Sequence, residues 1–350
     1  MEARLYNQSF SFVAPIDSYK SFIWTERYLG YGDFELVISA LDDVASLIVP
    51  DTYLKLENEN SWMIVERTEI SKSEEGEFLK TIVGRSLESI LTRRVVWIPR
   101  TLKGSLQTGI KTLINDNLIS SSSSFRNIPN FTFAVSADTA ITSLTLDEQL
   151  FGDNLYDVLL DVCESYEISY RIKMPTIGNF VFELFVGKDR SYSQSTNPHV
   201  VFSPRFDNLV NSKSVYDLTN YKTSAIVEGA DNLIGVKDSP AYPSGILRRE
   251  IYVDATNTRQ TVDGVTMPIA DYNKILAQKG LGRLAENPAL LFFDGEAADT
   301  EVYRYGVHFF LGDIVQLEDE AGNQGRSRVI EYIRSQDESE SRAYPTFAAI

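Results

Sequence analysis

A hairpin pattern near the C-terminus constrains the fold of this chain more than any other feature of its sequence. Within residues 313–335, a run of alternating polar and apolar side chains at 314–319 is followed by a turn at 320–323 and a second strand-like run at 327–333. Alternation with a period of two is typical of a strand with one buried face, and a glycine between two such runs is typical of a hairpin. The pattern therefore predicts a β-hairpin.

A similar stretch lies near the N-terminus. Residues 54–58 (LKLEN) align with residues 315–319 (VQLED), and residues 64–67 (IVER) align with residues 329–332 (VIEY). Internal similarity of this kind indicates a duplicated unit, here two related β-barrels, which a trimer would arrange as a ring of six. Chance similarity between two short amphipathic hairpins is the alternative interpretation, and both stay open at this point.

The composition is that of a globular protein with more than one domain. The chain has 350 residues, of which 43% are hydrophobic and 23% are charged, and this is enough for two or more cores. The N-terminus has no signal-peptide pattern, no apolar run is long enough to span a bilayer, and Cys163 is the single cysteine. We expect synthesis in a cytosol, no disulfide within the chain and no membrane-spanning segment.

The net charge of −16 argues against a nucleic-acid binder. An acidic chain repels phosphate groups at long range and gains little from the release of counterions. Such a surface suits a channel through which DNA slides without sticking, although simple solubility explains the charge equally well.

The hydrophobic patterns divide the chain into four predicted domains. Residues 1–99 form a first tube-like β-barrel, residues 100–199 a mixed α+β domain, and residues 235–300 an inserted α+β domain. The second tube-like β-barrel combines residues 200–234 with residues 301–350. The predicted strands are 34–39, 53–57, 63–70, 78–83, 168–174, 180–186, 200–203, 215–216, 223–228, 247–253, 290–293 and 302–305, besides the C-terminal hairpin.

Helix signals are fewer. Short helices are predicted at 42–49 and 86–93, and Ser105 is expected to cap a helix whose apolar residues run from 106 to 118. The strongest helix pattern follows Gly152, with Asp153 as its predicted cap. A further helix is predicted at 269–286, and the segment 238–245, with two prolines, is predicted to be a loop.

Few residues are suited to catalysis. His199 lies in a proline-flanked turn, His308 in an aromatic strand context, and Cys163 on the apolar stripe of a predicted helix, where a buried thiol is ordinary core packing. The segment 280–285 (GLGRLA) resembles a dinucleotide-binding fingerprint but falls inside a predicted helix rather than after a strand. No Cys/His cluster has zinc-ligand spacing, and the 49 acidic residues offer no way to select a catalytic pair. We predict no catalytic, cofactor-binding or metal-binding residues, no cofactor and no enzymatic activity.

Tryptophans and basic doublets also favour structural roles. Trp24, Trp62 and Trp97 occur in strand-like settings, which predicts that they pack in the core. The doublets at 93–94 and 248–249 fit solvated strand ends or subunit contacts better than phosphate sites.

Several segments resemble the tail-tip hub proteins of long-tailed bacteriophages and prophages, also called tail-associated or baseplate-hub proteins. These segments are 23–28 (IWTERY), 32–36 (GDFEL), 84–91 (GRSLESIL), 93–97 (RRVVW), 189–194 (DRSYSQ), 201–204 (VFSP), 208–209 (NL), 277–280 (AQKG) and 311–315 (LGDIV). They follow one another in the family's order along nearly the whole chain.

The resemblance implies a β-rich α+β fold like that of a phage baseplate hub, with two related tube-type β-barrels and two smaller mixed α/β domains. It also implies a homotrimer that closes the end of the tail tube. Members often continue into a lysin, spike or receptor-binding region, whereas this sequence ends soon after the predicted second barrel. That difference favours an adaptor or plug.

The predicted function is therefore that of a structural virion protein at the phage tail tip, made in the bacterial host cytoplasm. Expected partners are further copies of the chain, the distal tail protein ring, the tape-measure protein and receptor-binding or fibre proteins, with DNA only in transit. The hub would close the tail tube before infection and open for DNA ejection. Two alternatives stay open: a tail-tip cell-wall or surface-glycan hydrolase, and a carbohydrate-binding module.

Overall fold

The computed structural model describes residues 1–57, 61–74, 76–230, 234–238, 244–262, 265–296, 302–320, 322 and 324–350. Within these ranges the fold is α+β and rich in β-structure, as predicted. Three parts of the predicted turns and loops lie outside the described residues: Asn58, the pair Ala321 and Asn323, and residues 239–243. No described helix is long and apolar enough to cross a membrane.

The N-terminal region is built from seven strands and one short helix. The strands are β1 (Ala3–Tyr6), β2 (Phe12–Ile16), β3 (Ser21–Arg27), β4 (Asp33–Ser39), β5 (Tyr53–Leu56), β6 (Trp62–Lys72) and β7 (Phe78–Ser86). The helix α1 spans Asp43–Leu47, and a 3₁₀ helix spans Leu87–Arg93. Both helices were predicted from the sequence.

The middle region alternates helices with short strands. Its helices are α2 (Leu106–Ile114), α3 (Thr139–Thr142) and α4 (Leu155–Ser165). Its strands are β8 (Arg100–Ser105), β9 (Phe131–Ala134), β10 (Thr145–Leu150), β11 (Ser169–Thr176) and β12 (Asn179–Phe185). They pair as β8–β10 and as β11–β12–β9.

The described part of the C-terminal region contains one long helix and eleven strands. The helix is α5 (Ile269–Ala285). The strands are β13 (Val201–Phe202), β14 (Val210–Asp217), β15 (Ser224–Glu228), β16 (Ile234–Asp238), β17 (Glu250–Asp254), β18 (Thr261–Val262), β19 (Val265–Thr266), β20 (Leu290–Glu296), β21 (Ile314–Glu318), β22 (Gln324–Asp337) and β23 (Ser341–Ala349). The small sheets here are β14–β20, β16–β15–β17 and β18–β19.

One eleven-stranded sheet connects the two ends of the chain. Its order is β13-β21-β22-β3-β4-β7-β6-β5-β1-β2, with β23 paired to β22. On one edge, β22 pairs first with β21 and then with β3, while β23 runs along its other edge. Strands from both predicted barrels therefore share one sheet, which is open among the described residues, whereas β14 and β15, which were also predicted for the second barrel, lie in smaller sheets. The two-barrel arrangement stays a prediction.

Both of the similar stretches form hairpins, as their alternation predicted. Tyr53 to Lys55 on β5 pair with β6, and β21 pairs with β22 in the C-terminal copy. Leu54 and Leu56 are buried in the first hairpin, and Val315 and Leu317 in the second. Alternate side chains thus face the core in each copy.

Four apolar cores stabilise these elements. One lies under the N-terminal strands, where Trp24 stacks on Phe34 with 5.9 Å between ring centroids. The largest packs α2 and α4 against β11 and β12 and also includes Tyr6 and Trp62 from the N-terminal strands. The third lies under the β21–β22 hairpin, and the fourth lies between α5 and β15. Burial of apolar area on this scale is the main stabilising contribution.

Two helix caps were predicted from the sequence, one correctly and one wrongly. The Ser105 side chain accepts a hydrogen bond from Thr108 N and caps α2, as predicted. The cap of α4 is Asn154, whose side chain accepts from Tyr156 N, and not Asp153. Asp153 accepts from Phe151 N at 3.1 Å instead, because the chain turns one residue before the helix begins.

Three further predictions are wrong in detail. Residues 302–305 form no strand, because Tyr305 enters a tight turn and its ring stacks on Tyr332 with 4.0 Å between centroids. The strand predicted at 247–253 begins only at Glu250, after a helical turn at Gly245–Leu247. Trp97 is 42% exposed, while Trp24 and Trp62 are buried as predicted.

Candidate functional site

Two segments that carry the resemblance, 189–194 and 311–315, meet around a buried carboxylate. Asp313 Oδ2 accepts a hydrogen bond from Arg190 Nε at 2.6 Å and from Phe310 N at 3.1 Å. Asp313 Oδ1 accepts from Lys188 N at 2.7 Å. The Arg190 and Asp313 side chains are only 9% and 3% exposed, so this ion pair is shielded from water. It attaches the chain that leaves the middle region to the C-terminal hairpin.

The backbones beside this ion pair are in close contact. Arg190 N donates to Ile314 O at 2.7 Å, and Ile314 N donates to Lys188 O at 2.9 Å. A Cβ atom on Gly187 would lie 1.9 Å from the carbonyl atoms of Gly312. Only a residue without a side chain fits at this crossing, which explains the glycine.

Tyr28 is the point where three regions of the chain meet. It directly follows β3, and its backbone N donates to Ile330 O of β22 at 2.7 Å. Its hydroxyl donates to Glu167 O at 3.0 Å, and its own carbonyl accepts from Ser169 Oγ in the middle region. Burial raises the pKa of the Tyr28 hydroxyl to about 12. The N-terminal sheet, the middle region and the C-terminal hairpin are therefore joined through the backbone and the side chain of one residue.

The segment 84–91 attaches the N-terminal sheet to β11. Arg85 forms two hydrogen bonds with the Glu66 carboxylate, at 2.6 and 2.8 Å. The buried Glu88 accepts from Ile172 N at 2.7 Å and from Ser86 Oγ. Burial raises the pKa of Glu88 above its ordinary value. Glu88 therefore links the N-terminal region to β11 inside the molecule, whereas the partly exposed Arg85–Glu66 pair joins β7 to β6 within the sheet.

Other segments that resemble hub proteins also have structural roles. Asn208 is buried, accepts from Ser203 N at 2.8 Å and donates to Val201 O at 2.8 Å, which closes the loop after β13. Gly280 on α5 lies against β15, where an added Cβ would be 3.0 Å from Val227. The segments that resemble hub proteins thus contribute to internal packing, in some cases between regions, as at Asp313, Tyr28 and Glu88, and in others within one region, as at Asn208 and Gly280.

The residues first considered for catalysis have local structural partners. His199 Nε2 is 2.9 Å from Gln194 O, and His308 Nδ1 accepts from Arg304 N at 2.9 Å. Cys163 is buried on α4 as expected, and burial raises the pKa of its thiol. Among the described residues no group of three or more His, Cys, Asp or Glu side chains could hold a metal ion. The absence of catalytic, cofactor-binding and metal-binding residues stays a prediction.

One face of the large sheet is partly exposed. This outer sheet face consists of side chains that lie beside one another on one side of β3, β4, β6, β7 and β22. Among them Ile23, Glu35, Arg67 and Glu69 are exposed, whereas Ser21, Val37, Thr81, Val83, Ile333 and Ser335 are half-buried. The face is mixed in character, with small polar, aliphatic and charged side chains. It offers a broad surface for assembly or for lining a channel.

The arginines of the outer sheet face are paired with carboxylates. Arg27 lies 2.7 Å from Asp33 and 2.8 Å from Glu331. Arg67 lies 3.3 Å from Glu69, and Arg85 is held by Glu66 as described above. Exposed pairs of this kind add little stability, but they neutralise the cations that would otherwise attract phosphate.

A second surface feature is a cleft of about 260 Å³ between α4 and α5, here called the acidic cleft. Its ionisable lining residues are Glu148, Asp153, Asp157, Asp161, Asp254, Lys279, Arg283 and Glu286. Burial raises the pKa of Glu148 to about 7 and that of Asp161 to about 6. Burial also raises the pKa of the neighbouring Glu164 to about 7. Carboxylates therefore outnumber basic groups in a partly desolvated space.

Stability should fall as the pH rises from about 5 to about 8, largely through Glu148. Its folded pKa of about 7 exceeds the ordinary value, so the folded state holds the proton more tightly than the unfolded state does. This contribution is complete below the unfolded pKa and is lost as the pH rises through about 7, which amounts to about 1–3 kcal/mol. Urea unfolding at several pH values measures it.

The Glu148→Gln variant isolates this effect from the other cleft groups. It should show a flatter dependence of unfolding free energy on pH than the unsubstituted chain does, with Asp161 and Glu164 accounting for what is left. Glu69→Gln, an exposed position on β6, makes the same charge change and should keep the original slope. Equal slopes for Glu148→Gln and the unsubstituted chain would contradict the prediction.

Comparison with known proteins gives a family over almost the whole chain. Residues 2–347 match the family model described as Siphovirus ReqiPepy6 Gp37-like protein. A search of the curated proteins gave no match.

Several solved structures share the fold at low sequence identity. A tail protein from Neisseria meningitidis MC58 is 14% identical with a TM-score of 0.60, covering 99% of this chain and 96% of that one. The 43 kDa tail protein of prophage MuSo2 from Shewanella oneidensis is 10% identical with a TM-score of 0.59, covering 99% and 97%. Prophage tail protein gp18 from Listeria monocytogenes EGD-e is 12% identical with a TM-score of 0.56, covering 99% and 94%. These likenesses concern the fold alone.

Proposed function

The chain belongs to the family of Siphovirus ReqiPepy6 Gp37-like proteins, and from this premise we propose that it is a structural protein of a phage tail. In the virion it forms a trimeric hub at the distal tip of the tail tube. The proposal rests on the outer sheet face, which is broad and partly exposed and whose arginines named above are all paired with carboxylates. Tail proteins of the same fold support it.

The proposed domain arrangement follows the four predicted ranges. Residues 1–99 are one tube-like unit, and residues 200–234 with 301–350 are the other, so three chains supply six. The shared sheet, in which β22 pairs with β3, would hold the two units of one chain in fixed relation. Such fixed geometry is what a trimer needs to match a sixfold tube.

The net charge of −16 suggests an acidic channel wall, but the proposed wall has a different charge. The outer sheet face carries both signs, so a channel lined by it is nearly neutral locally instead of uniformly acidic. DNA would still pass freely, because each named arginine already has a carboxylate partner and offers little to a phosphate group. The closed state holds the DNA before infection, and opening lets it pass.

The proposed partners are the distal tail protein ring, the tape-measure protein and receptor-binding or fibre proteins. The protein is made in the cytoplasm of the bacterial host and is assembled into the virion. An assembly role agrees with the use of the matched segments for internal packing, since rigid regions present their surfaces in constant positions.

We expect the purified chain to form a trimer of about 118 kDa, three times the 39.4 kDa of one chain. Light scattering over a range of concentrations measures this mass. A stable dimer would contradict the trimeric hub. If the chain stays monomeric, the same measurement with the purified distal tail ring added should show three copies bound to each ring.

The acidic cleft favours a second candidate function, a cell-wall or surface-glycan hydrolase. Carboxylates with raised pKa values in a cleft are typical of acid–base sites. Release of sugars or peptides from cell walls, abolished by Glu148→Gln or Asp161→Asn, would support it. The cleft volume of about 260 Å³ is small for a glycan chain, so the structural role remains our proposal.

The exposed Trp97 is the one tryptophan available for the third alternative, a carbohydrate-binding module. The Arg126 guanidinium lies 4.7 Å from the centre of its ring and covers one face. A sugar platform needs an open aromatic face, and Arg126 leaves at most the opposite face of Trp97. Loss of binding to host cells in Trp97→Ala would support this alternative, and unchanged binding would count against it.

A further inference from the structure

We propose that the acidic cleft binds an organic cation through an ammonium or guanidinium group, with Glu148 as the anchoring carboxylate. This inference does not depend on the hub assignment. It rests on the position of Glu148, on the charges around it and on the spacing of the other carboxylates.

Glu148 occupies a position where the strand pattern calls for an apolar residue. It lies on β10 between Leu146 and Leu150, and all three side chains are buried on the same face. Glu148 is only 7% exposed, lines the acidic cleft, and forms no hydrogen bond or ion pair with any residue that the structure describes. A buried carboxylate without a partner is costly, and a cation entering the cleft would supply the missing interaction.

The charges around Glu148 favour a positive ligand. Six carboxylates line the acidic cleft and only two basic side chains, Lys279 and Arg283, oppose them. Arg283 is already paired with Glu286. On α4, Asp157 and Asp161 are four residues apart, which places like charges on one helix face and destabilises the helix, and Asp153 adds a third carboxylate just before the helix begins. A bound cation would relieve this repulsion.

The spacing of the carboxylates favours an organic cation over a metal ion. No three of the described acidic side chains are close enough together to ligate a metal, whereas a divalent ion needs several oxygen ligands at short distances. Ammonium and guanidinium groups instead donate several hydrogen bonds in different directions to separate carboxylates. A cleft of about 260 Å³ holds a group of a few heavy atoms.

A cation bound in the acidic cleft would also link two parts of the fold. The cleft separates α4 of the middle region, which is acidic, from α5 of the inserted region, which supplies Lys279 and Arg283 to the same cleft, so a bound cation would lie between the two helices and beside the carboxylates of α4. The same chemistry is available from a free polyamine and from a lysine or arginine side chain of another protein. The two sources differ in the number and spacing of their charges.

Isothermal titration calorimetry at low ionic strength and about pH 8, where the cleft carboxylates are largely charged, tests the proposal. Putrescine represents a free polyamine, and N-acetyl-arginine amide represents a protein side chain. Tetramethylammonium, which has the charge but no N–H donor, is the control ligand. We expect saturable binding of one N–H-bearing cation per chain and none of tetramethylammonium. Tighter binding of putrescine would identify a polyamine site, and equal or tighter binding of the arginine derivative would identify a side-chain site.

Variants distinguish specific binding of a cation in the acidic cleft from nonspecific attraction of cations to an acidic protein. Glu148→Gln should weaken binding about tenfold or more, and Asp161→Asn should weaken it as well, which keeps the test open if one variant fails to fold. Glu69→Gln should bind like the unsubstituted chain. Lys279→Met removes a competing internal cation and should bind more tightly. The proposal is overturned by the absence of saturable binding, by equal affinity of Glu148→Gln, or by binding of tetramethylammonium at the same strength.

Discussion

Asp313→Ala should lower the free energy of unfolding by about 3–5 kcal/mol, because it leaves the Arg190 guanidinium buried without a counter-charge. The side chains of this pair are 9% and 3% exposed, so water cannot replace the lost carboxylate. Lys188 N and Phe310 N would lose their acceptor as well. Urea unfolding at neutral pH measures the loss.

Two further variants determine whether the loss comes from the buried charge. Glu340→Ala removes an exposed ion pair with Arg342 and should cost at most about 1 kcal/mol. The double variant Asp313→Leu with Arg190→Met removes both charges and should recover part of the stability. A loss below about 1 kcal/mol for Asp313→Ala would show that the junction relaxes and admits water.

Gly312→Ala should destabilise the protein by about 2–5 kcal/mol, for two separate reasons. Gly312 has a φ of +86°, a conformation that costs a residue with a side chain about 1–2 kcal/mol. A Cβ there would also lie 2.3 Å from the ring of Tyr28, and such crowding adds about 1–3 kcal/mol. Thermal or urea unfolding gives the total.

Gly306→Ala is the matched control for this variant. Gly306 has a φ of +79° but no atom within 4 Å of a Cβ, so only the backbone strain applies and the cost should be about 1–2 kcal/mol. The difference between the two variants measures the contact with Tyr28. Equal costs would mean that the ring of Tyr28 moves aside freely.

Both predictions concern contacts that hold the C-terminal hairpin against the rest of the chain. Tyr28 and Asp313 attach the C-terminal hairpin to two other regions, and these contacts cross long distances in the sequence. A hub has to keep its regions in fixed relation while other proteins attach to its surface. The destabilised variants should therefore also lose the proposed trimer before they lose secondary structure.

Local periodicity was sufficient for much of the fold. The two hairpins, the helices α2, α4 and α5 and the buried Cys163 follow from alternation with a period of two or from an apolar stripe with the period of a helix. Such patterns indicate which side of each helix or strand is buried, because the periodicity can be recognised from a few neighbouring residues. Where the pattern was short, as at residues 302–305, aromatic packing on Tyr332 decided the conformation instead.

The partners of each element depended on the tertiary structure. The sequence alone predicted β22 as a strand, but the pairing of β22 with β3, the Arg190–Asp313 ion pair and the contact of Tyr28 with Glu167 join residues more than 100 positions apart. Most of these residues lie in segments that resemble hub proteins, but the resemblance did not indicate which residues they contact. Glu148 gave no signal as a site, because its isolation becomes visible only when α4 and α5 are placed against β10. Periodicity records how much water each side chain meets, whereas long-range pairing depends on shape and charge complementarity between surfaces that form only in the folded chain.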